Sequence, residues 1–414
     1  MKKSTKDSII IGFALFSMFF GAGNLIFPGF LGNELGSQFF IGIIGFVTTG
    51  VGLPLLAILS CAKGDGTFQT LASKINSKFA IICTAVLFIA IGPMLGIPRT
   101  AATTFELTIN PFFPSLSPFL VMSVYFAINL FFVLGSTSII DIIGKYLTPM
   151  LLIILTIIIV KGIIFPIGEI VSTDATNVLS NSLLEGYQTM DALAALLFAG
   201  IVSTSIKSKG YKDKDVLPMI IKSGLVAVLG LAFVYGGLMY LGAQTVNLAG
   251  ADISKTGLLL LMSQTILGKF GTVIIGVAMG LACLTTSIGL LSSGSTFFDK
   301  ISKGKLPYKF NAIILSFISL GIALLGVDKI IAYSAPILNI LYPVAITLIL
   351  TTLFSRYIKN TKAVKLGVYT SLIFGILLAI PGLNLSIIPL YNQGFGWIIP
   401  TILAIIIGYI LDLK

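Results

Sequence analysis

The chain has 414 residues, 56% of them hydrophobic and only 10% charged. An ordinary soluble domain carries about 25% charged residues, so a water-soluble globular fold is excluded and an integral membrane protein is implied. The net charge of +11 would suggest nucleic acid in a soluble protein, but here it lies between apolar runs, where it sets topology. Histidine is absent, which removes the usual imidazole base and metal ligand. Cys61, Cys83 and Cys283 show no CxxC spacing, so neither a disulfide framework nor a metal cluster is supported. The start, Met1-Lys2-Lys3, is basic, but the apolar run after it passes well beyond a secretory h-region without a small-residue cleavage site. It reads as a first membrane span and not as a signal peptide.

Runs of about 20 apolar residues are long enough to cross a bilayer as helix. Twelve are present, at 8–33, 38–62, 79–105, 117–135, 147–166, 177–206, 217–243, 270–298, 308–326, 329–353, 363–382 and 394–411. With the N-terminus cytoplasmic, every basic residue except Arg99, Lys161, Lys255, Lys269 and Lys329 falls on the inner side. Basic residues stay on the cytoplasmic face, so this asymmetry predicts twelve spans with both termini inside.

Span one contains Gly21-Ala22-Gly23-Asn24-Leu25-Ile26-Phe27-Pro28 in the middle of its apolar run. Glycine and proline interrupt helices, and irregular backbone at membrane depth survives only inside protein or beside a wet cavity. The functional reading is a broken helix whose amides and carbonyls hold a small ligand or ion. The alternative is a packing glycine pair or a proline kink. Near the outer end of span three, Arg99 and Glu106 stand two helical turns apart, as an outer gate or ion pair, or as interface anchors. Asp141 and Lys145 have the i, i+4 spacing of a solvated pair.

Span six, 177–206, is long enough for two half-helices, with Gly186-Tyr187-Gln188-Thr189-Met190-Asp191 between them. A competing reading starts the span at Tyr187 and leaves 177–185 as external loop. After span seven, the external segment 244–269 contains an apolar stretch, 257–267, too short to cross. Asp252 or Ser254 can cap a helix there, lying over the outer mouth or resting as an amphipathic surface helix. Span eight carries Ala282-Cys283-Leu284-Thr285-Thr286-Ser287, three hydroxyl residues in an otherwise apolar helix. Hydroxyls and carbonyls are hard oxygen ligands suited to sodium; the alternative is that they bond carbonyls one turn back in their own helix.

Interruptions in spans one and six suggest a five-span repeat, and an odd number of spans forces the second copy to be inverted across the membrane. Matching breaks in two inverted halves are a pointer to a transporter's binding site at the bilayer midplane. The expected organisation is a first five-helix repeat over 1–166 and a second, inverted one over 167–353, with an external loop helix near 254–267. Two additional helices follow over 354–414.

The stretch through Gly21 to Pro28, the stretch Gly92-Pro93-Met94-Leu95-Gly96-Ile97-Pro98-Arg99-Thr100-Ala101-Ala102-Thr103-Thr104-Phe105-Glu106, and Gly186 to Leu196 closely resemble the bacterial branched-chain amino acid:cation symporters, the BrnQ-type carriers. The likeness runs over essentially the whole chain. It implies an all-α polytopic membrane protein of the leucine-transporter fold, with five-plus-five inverted repeats and helices one and six broken. It also implies uptake of Leu, Ile and Val driven by sodium or protons.

An amino acid zwitterion offers a carboxylate, an ammonium and a side chain. The outer half of span one begins near Asn24, so its free amides and dipole end attract an anion. The amides of Ala22, Gly23 and Asn24 are candidates for the carboxylate, with Gly21 and Gly23 letting the ligand approach the backbone. For the ammonium, carbonyls freed at 17–21 and at Gly186, Tyr187, Gln188 and Thr189 are candidates. Asp191 adds charge as a direct ligand, or caps the helix starting at Ala192. Phe20, Phe27, Met190 and Leu193 flank the breaks, as pocket or simply as core.

In the superfamily that the resemblance points to, a sodium is held by an Ala-x-x-Thr-Ser/Thr motif on span eight and by carbonyls just before the Gly-x-Gly of span one. That implies Ala282, Thr285 and Thr286 with the carbonyls of Ser17 and Phe20. A register shifted by one uses Cys283, Thr286 and Ser287.

The expectation is therefore a secondary active transporter importing Leu, Ile or Val by alternating access with Na+ or H+. Its setting is the bacterial cell membrane, with no enzymatic activity, nucleic acid or obligate protein partner. A carrier of another small neutral amino acid or solute is the alternative. No GxxxxGK[ST] is present to bind a nucleotide. A channel would want a filter sequence or ring of charge, and a membrane-embedded enzyme would want histidine or a clustered acid pair.

Overall fold

Helix covers each of the apolar stretches in a computed structural model of the chain, and no strand occurs among the described residues. These are residues 3–63, 66–135, 138–250, 252–358 and 361–411, with the side chains of 3 and 138–148 excluded. The expected Asp141–Lys145 pair falls outside the described side chains. Seven helical stretches among the described residues are long and apolar enough to cross a membrane. Four shorter apolar helices accompany them, Pro118–Leu134, Pro149–Ile164, Tyr308–Ala323 and Ile398–Ile410. Large apolar side chains such as Phe131, Ile153, Phe317 and Ile406 are exposed on this surface. Such a belt is stable only against lipid.

Span one is broken. Its inner half, Lys3–Phe19, stops before Gly21, which is extended, and the outer half, Ala22–Leu35, then restarts. Asn24 closes the turn from both sides. Its side-chain oxygen accepts the Gly21 N–H at 2.9 Å, and its own N–H donates to the Gly21 carbonyl at 3.2 Å. Pro28 stays within the outer helix, so the break belongs to the glycine and not to the proline.

Span six is also two half-helices, Val178–Tyr187 and Asp191–Ser208, which decides against an external loop over 177–185. The joint turns at Met190, a non-glycine residue held at φ 62°. A left-handed residue of this kind costs about 1–3 kcal/mol and persists where surrounding structure over-determines it.

Packing holds the broken segments at close range. A Cβ on Gly32 would collide with the Met239 carbonyl of the helix Asp213–Ala243, and one on Gly242 with the Gly29 carbonyl. Small residues thus let the outer half of span one lie directly on span seven. Span three is kinked. After Ser77–Ile89 comes a π-helical segment, Ala90–Gly96, with Pro93 and a non-helical Gly92, then Ile97–Thr104. Such wide turns inside a helix frequently mark functional positions.

The helix Lys255–Leu267 is capped by Ser254, whose hydroxyl accepts the Gly257 N–H at 3.0 Å. Leu258, Leu259, Met262 and Ile266 are buried, so this helix is packed into the protein. Its start is pinned to the broken spans. Lys255 pairs with Glu185 at 3.1 Å and lies 3.7 Å above the Phe30 ring, while the Thr256 hydroxyl donates to Glu106 at 2.7 Å. The other Glu106 oxygen accepts the Val327 N–H at 3.0 Å, at the start of Val327–Leu353. Glu106 is therefore a cap and tether. Of the readings offered for Arg99 and Glu106, the ion pair does not form among the described residues, and Arg99 bonds the Gln188 carbonyl instead.

Candidate functional site

The two breaks meet at one cavity. Met18, Phe19, Gly21, Ala22, Gly23 and Asn24 line it from span one, and Thr189, Met190, Asp191, Ala194 and Phe198 from span six. Ile91, Gly96, Arg99 and Thr100 of span three and Thr286 and Leu290 of span eight complete the wall. The Asn24 amide nitrogen donates to Asp191 Oδ2 at 2.5 Å and to the Tyr235 hydroxyl, which itself donates to Asp191 Oδ2 at 3.4 Å. All three residues are buried, so spans one, six and seven are joined by a polar bridge inside an apolar core. Such bridges hold only where each member is satisfied. Arg99 is buried too. Its Nη1 donates to the Gln188 carbonyl at 2.7 Å, and its guanidinium carbon lies 5.3 Å from the centre of the Phe27 ring. Gly23 makes room for it, since a Cβ there would stand 3.0 Å from Nη2 and closer still to Phe27.

A family described as "Branched-chain amino acid transport protein" matches residues 4–414. The chain belongs to this family. It is 38% identical over 427 residues to the branched-chain amino acid permease BraB of Bacillus subtilis (strain 168), covering 99% of this chain and 96% of that one. Two solved structures share the fold at low sequence identity. One is Mhp1, a nucleobase-cation-symport-1 family transporter in a closed conformation with bromovinylhydantoin bound, with TM-score 0.65, 12% identity and coverage of 97% of this chain and 91% of that one. The other is a Na+-coupled sialic acid symporter in a substrate-bound outward-open state, with TM-score 0.62, 17% identity and coverage of 97% and 89%. As a member of the branched-chain amino acid transport family, the chain is a multi-pass membrane transport protein.

Within this family member, the sequence-derived candidates separate. Gly21, Ala22, Gly23, Asn24, Thr189 and Asp191 line the cavity, whereas Gly186, Tyr187 and Gln188 do not. Gly186 is there for packing, since a Cβ on it would fall on the Thr49 hydroxyl of span two. Tyr187 stacks on Tyr342 with ring centres 3.9 Å apart, and the Gln188 side-chain oxygen accepts from Ser334 at 2.7 Å. Of the four span-six carbonyls expected to meet an ammonium, those of Gly186, Tyr187 and Gln188 already accept a hydrogen bond. Gly186 accepts from the Thr189 hydroxyl at 2.9 Å, Tyr187 from the Met190 N–H at 3.0 Å, and Gln188 from Arg99. Asn24 likewise brings its side chain to the site, because its amide is bonded to Gly21. The amides of Ala22 and Gly23, first in their helix, have no carbonyl one turn back within it. Asp191 turns its carboxylate to Asn24 and Tyr235 and caps no helix.

Among the cation candidates, Thr286 lines the cavity, its side chain 3.6 Å from where a Gly21 Cβ would stand. The Thr285 hydroxyl donates to the Ala282 carbonyl at 2.9 Å, which is the back-bonded arrangement. Ser287 is fully buried, and among the described residues its hydroxyl makes no hydrogen bond within 3.5 Å. Phe20 stacks on Phe16 with ring centres 5.0 Å apart, and Ser17 is half-buried just before the break. Two residues of this polar cluster lie outside the set of binding candidates that the sequence offers. Arg99 was visible as a charge in an apolar run but belonged to the cavity rather than the outer end. Tyr235 carried only the faint signal of a hydroxyl in an apolar helix.

Proposed function

We propose that the chain imports Leu, Ile or Val together with a cation by alternating access, with the substrate held between the two broken helices. The observation that carries this reading is that both helix breaks open onto one buried cavity, in a chain of the branched-chain amino acid transport family. Broken helices at the centre of inverted repeats are how many secondary transporters hold substrate and ion. The proposed organisation is twelve crossings with both termini cytoplasmic, inverted repeats over 1–166 and 167–353, and two added helices over 354–414. The side-chain wall of Met18, Phe19, Ile91, Phe198 and Leu290 suits a branched aliphatic group. Apolar fit separates neighbours by only about 1–3 kcal/mol per methylene, so Leu, Ile and Val should compete closely with one another.

Sodium is the proposed coupling ion. Thr286 beside Gly21 offers a hydroxyl at the span-one break, and one neighbour in fold is a Na+-coupled symporter. Proton coupling is the second reading, favoured by the buried Asp191 carboxyl, since acids at membrane depth form proton relays in many carriers.

The test is uptake of radiolabelled isoleucine into proteoliposomes under an imposed sodium gradient, an imposed proton gradient, or neither. Accumulation driven by sodium supports the full reading. Accumulation driven only by protons keeps the carrier and transfers coupling to Asp191. No accumulation of any branched-chain amino acid under either gradient overturns it.

A further inference from the structure

Two charged side chains line the cavity, Arg99 and Asp191, and they have opposite sign. Each is more than nine-tenths buried, at 4% and 5% exposure. Charges at bilayer depth usually pair with one another. Among the described residues, however, no ion pair within 4.0 Å joins these two. Each is held by the break in span six instead. Arg99 sits at the C-terminal end of Val178–Tyr187, on the Gln188 carbonyl, and Asp191 begins Asp191–Ser208. A cation at a helix C-terminus and an anion at a helix N-terminus are each stabilised by the helix dipole. Each charge is thus supported by the span-six break, without a direct ion pair between them.

Both keep bonding capacity toward the cavity. A guanidinium carries five N–H donors in a planar fork, and the Gln188 carbonyl takes one of them. Nη2 lies beside Gly23, at the start of the outer half of span one, where the Ala22 and Gly23 amides emerge. On Asp191, the bonds from Asn24 and Tyr235 both fall on Oδ2, and the Thr189 hydroxyl lies beside the carboxylate.

We infer that Arg99, with the Ala22 and Gly23 amides, holds the substrate α-carboxylate and that Asp191 receives the α-ammonium, so the site reads both charges of a zwitterion. This rests on the amino acid transport proposed above. A zwitterion completes two ion pairs at once and leaves the filled cavity neutral, whereas a lone amine or a lone acid leaves one buried charge unmatched. A planar fork also matches a carboxylate bidentately in a way a point charge does not. The site should therefore reject isoleucinamide and 2-methylbutylamine, which lack the carboxylate, and 3-methylpentanoate, which lacks the ammonium.

The experiment is competition of these analogues against radiolabelled isoleucine in proteoliposomes, for wild type, Arg99→Gln, Arg99→Lys and Asp191→Asn. Wild type must first take up isoleucine; if it does not, the transport proposal fails and the charge assignment is not what failed. In wild type, isoleucine should outcompete isoleucinamide and 3-methylpentanoate by about 100-fold, the scale of a charge-assisted contact. Arg99→Gln should bring isoleucine and isoleucinamide within about threefold while 3-methylpentanoate stays excluded, and Asp191→Asn should do the reverse. If Arg99 only positions Gln188, its loss weakens isoleucine and isoleucinamide by the same factor and the ratio stays unchanged, which overturns the assignment. Arg99→Lys keeps the charge and loses the fork, and it is the variant to read if Arg99→Gln does not insert. There a ratio about tenfold lower supports the assignment, and an unchanged ratio overturns it.

Discussion

Thr285 and Thr286 are chain neighbours whose hydroxyls have different surroundings. The first is bonded to the Ala282 carbonyl of its own helix, and the second lines the cavity against Gly21. Thr286→Val, which removes one oxygen at nearly constant volume, should lower sodium-dependent isoleucine uptake about tenfold, and Thr285→Val should change it less than about twofold. Uptake measured across a sodium titration checks this, and a larger loss in the Thr285 variant would move the ion one residue along the helix. The sequence makes Gly21, Gly23, Asn24 and Asp191 conspicuous because glycine and acid are out of place in an apolar run. It cannot make Tyr235 conspicuous, since that hydroxyl matters only once span seven is laid against Asn24 and Asp191.

The half-helices are set by packing as much as by their breaks. Gly186 brings Val178–Tyr187 against span two so closely that a methyl group there would meet the Thr49 hydroxyl. Gly186→Ala should therefore destabilise the protein by about 1–3 kcal/mol, the usual range for overpacking. Gly200→Ala, where the nearest atoms stand 3.5 Å away, should be tolerated. Thermal unfolding in detergent distinguishes them, and a Gly186→Ala protein as stable as wild type would contradict the close-packing assignment. Both helix breaks were readable from local composition. The placement of Arg99 was not, because it rests on the Gln188 carbonyl, a partner far along the chain that no periodicity records. The function of Glu106 was hidden for the same reason, its partners Thr256 and Val327 lying far along the chain.

At the scale of the whole molecule, the apolar runs announce a membrane protein and its helices, and the match over residues 4–414 establishes the family. The five-plus-five arrangement is inferred from the five-span offset between the breaks and belongs to the proposed function. The helix Lys255–Leu267 is tied to this frame through Lys255, Thr256 and their partners on spans one, three and six. The central claim is that one branched-chain amino acid sits between the two breaks. Equilibrium binding of radiolabelled isoleucine to the purified protein tests it most directly, with Ala194→Phe beside wild type, since Ala194 faces the cavity from the second half of span six. A phenylalanine there occupies the space proposed for the substrate. The prediction is saturable one-site binding in wild type and a loss of about 100-fold or more in the variant, with its unfolding temperature largely kept. Undiminished isoleucine affinity in a folded Ala194→Phe protein would place the substrate elsewhere and contradict the claim.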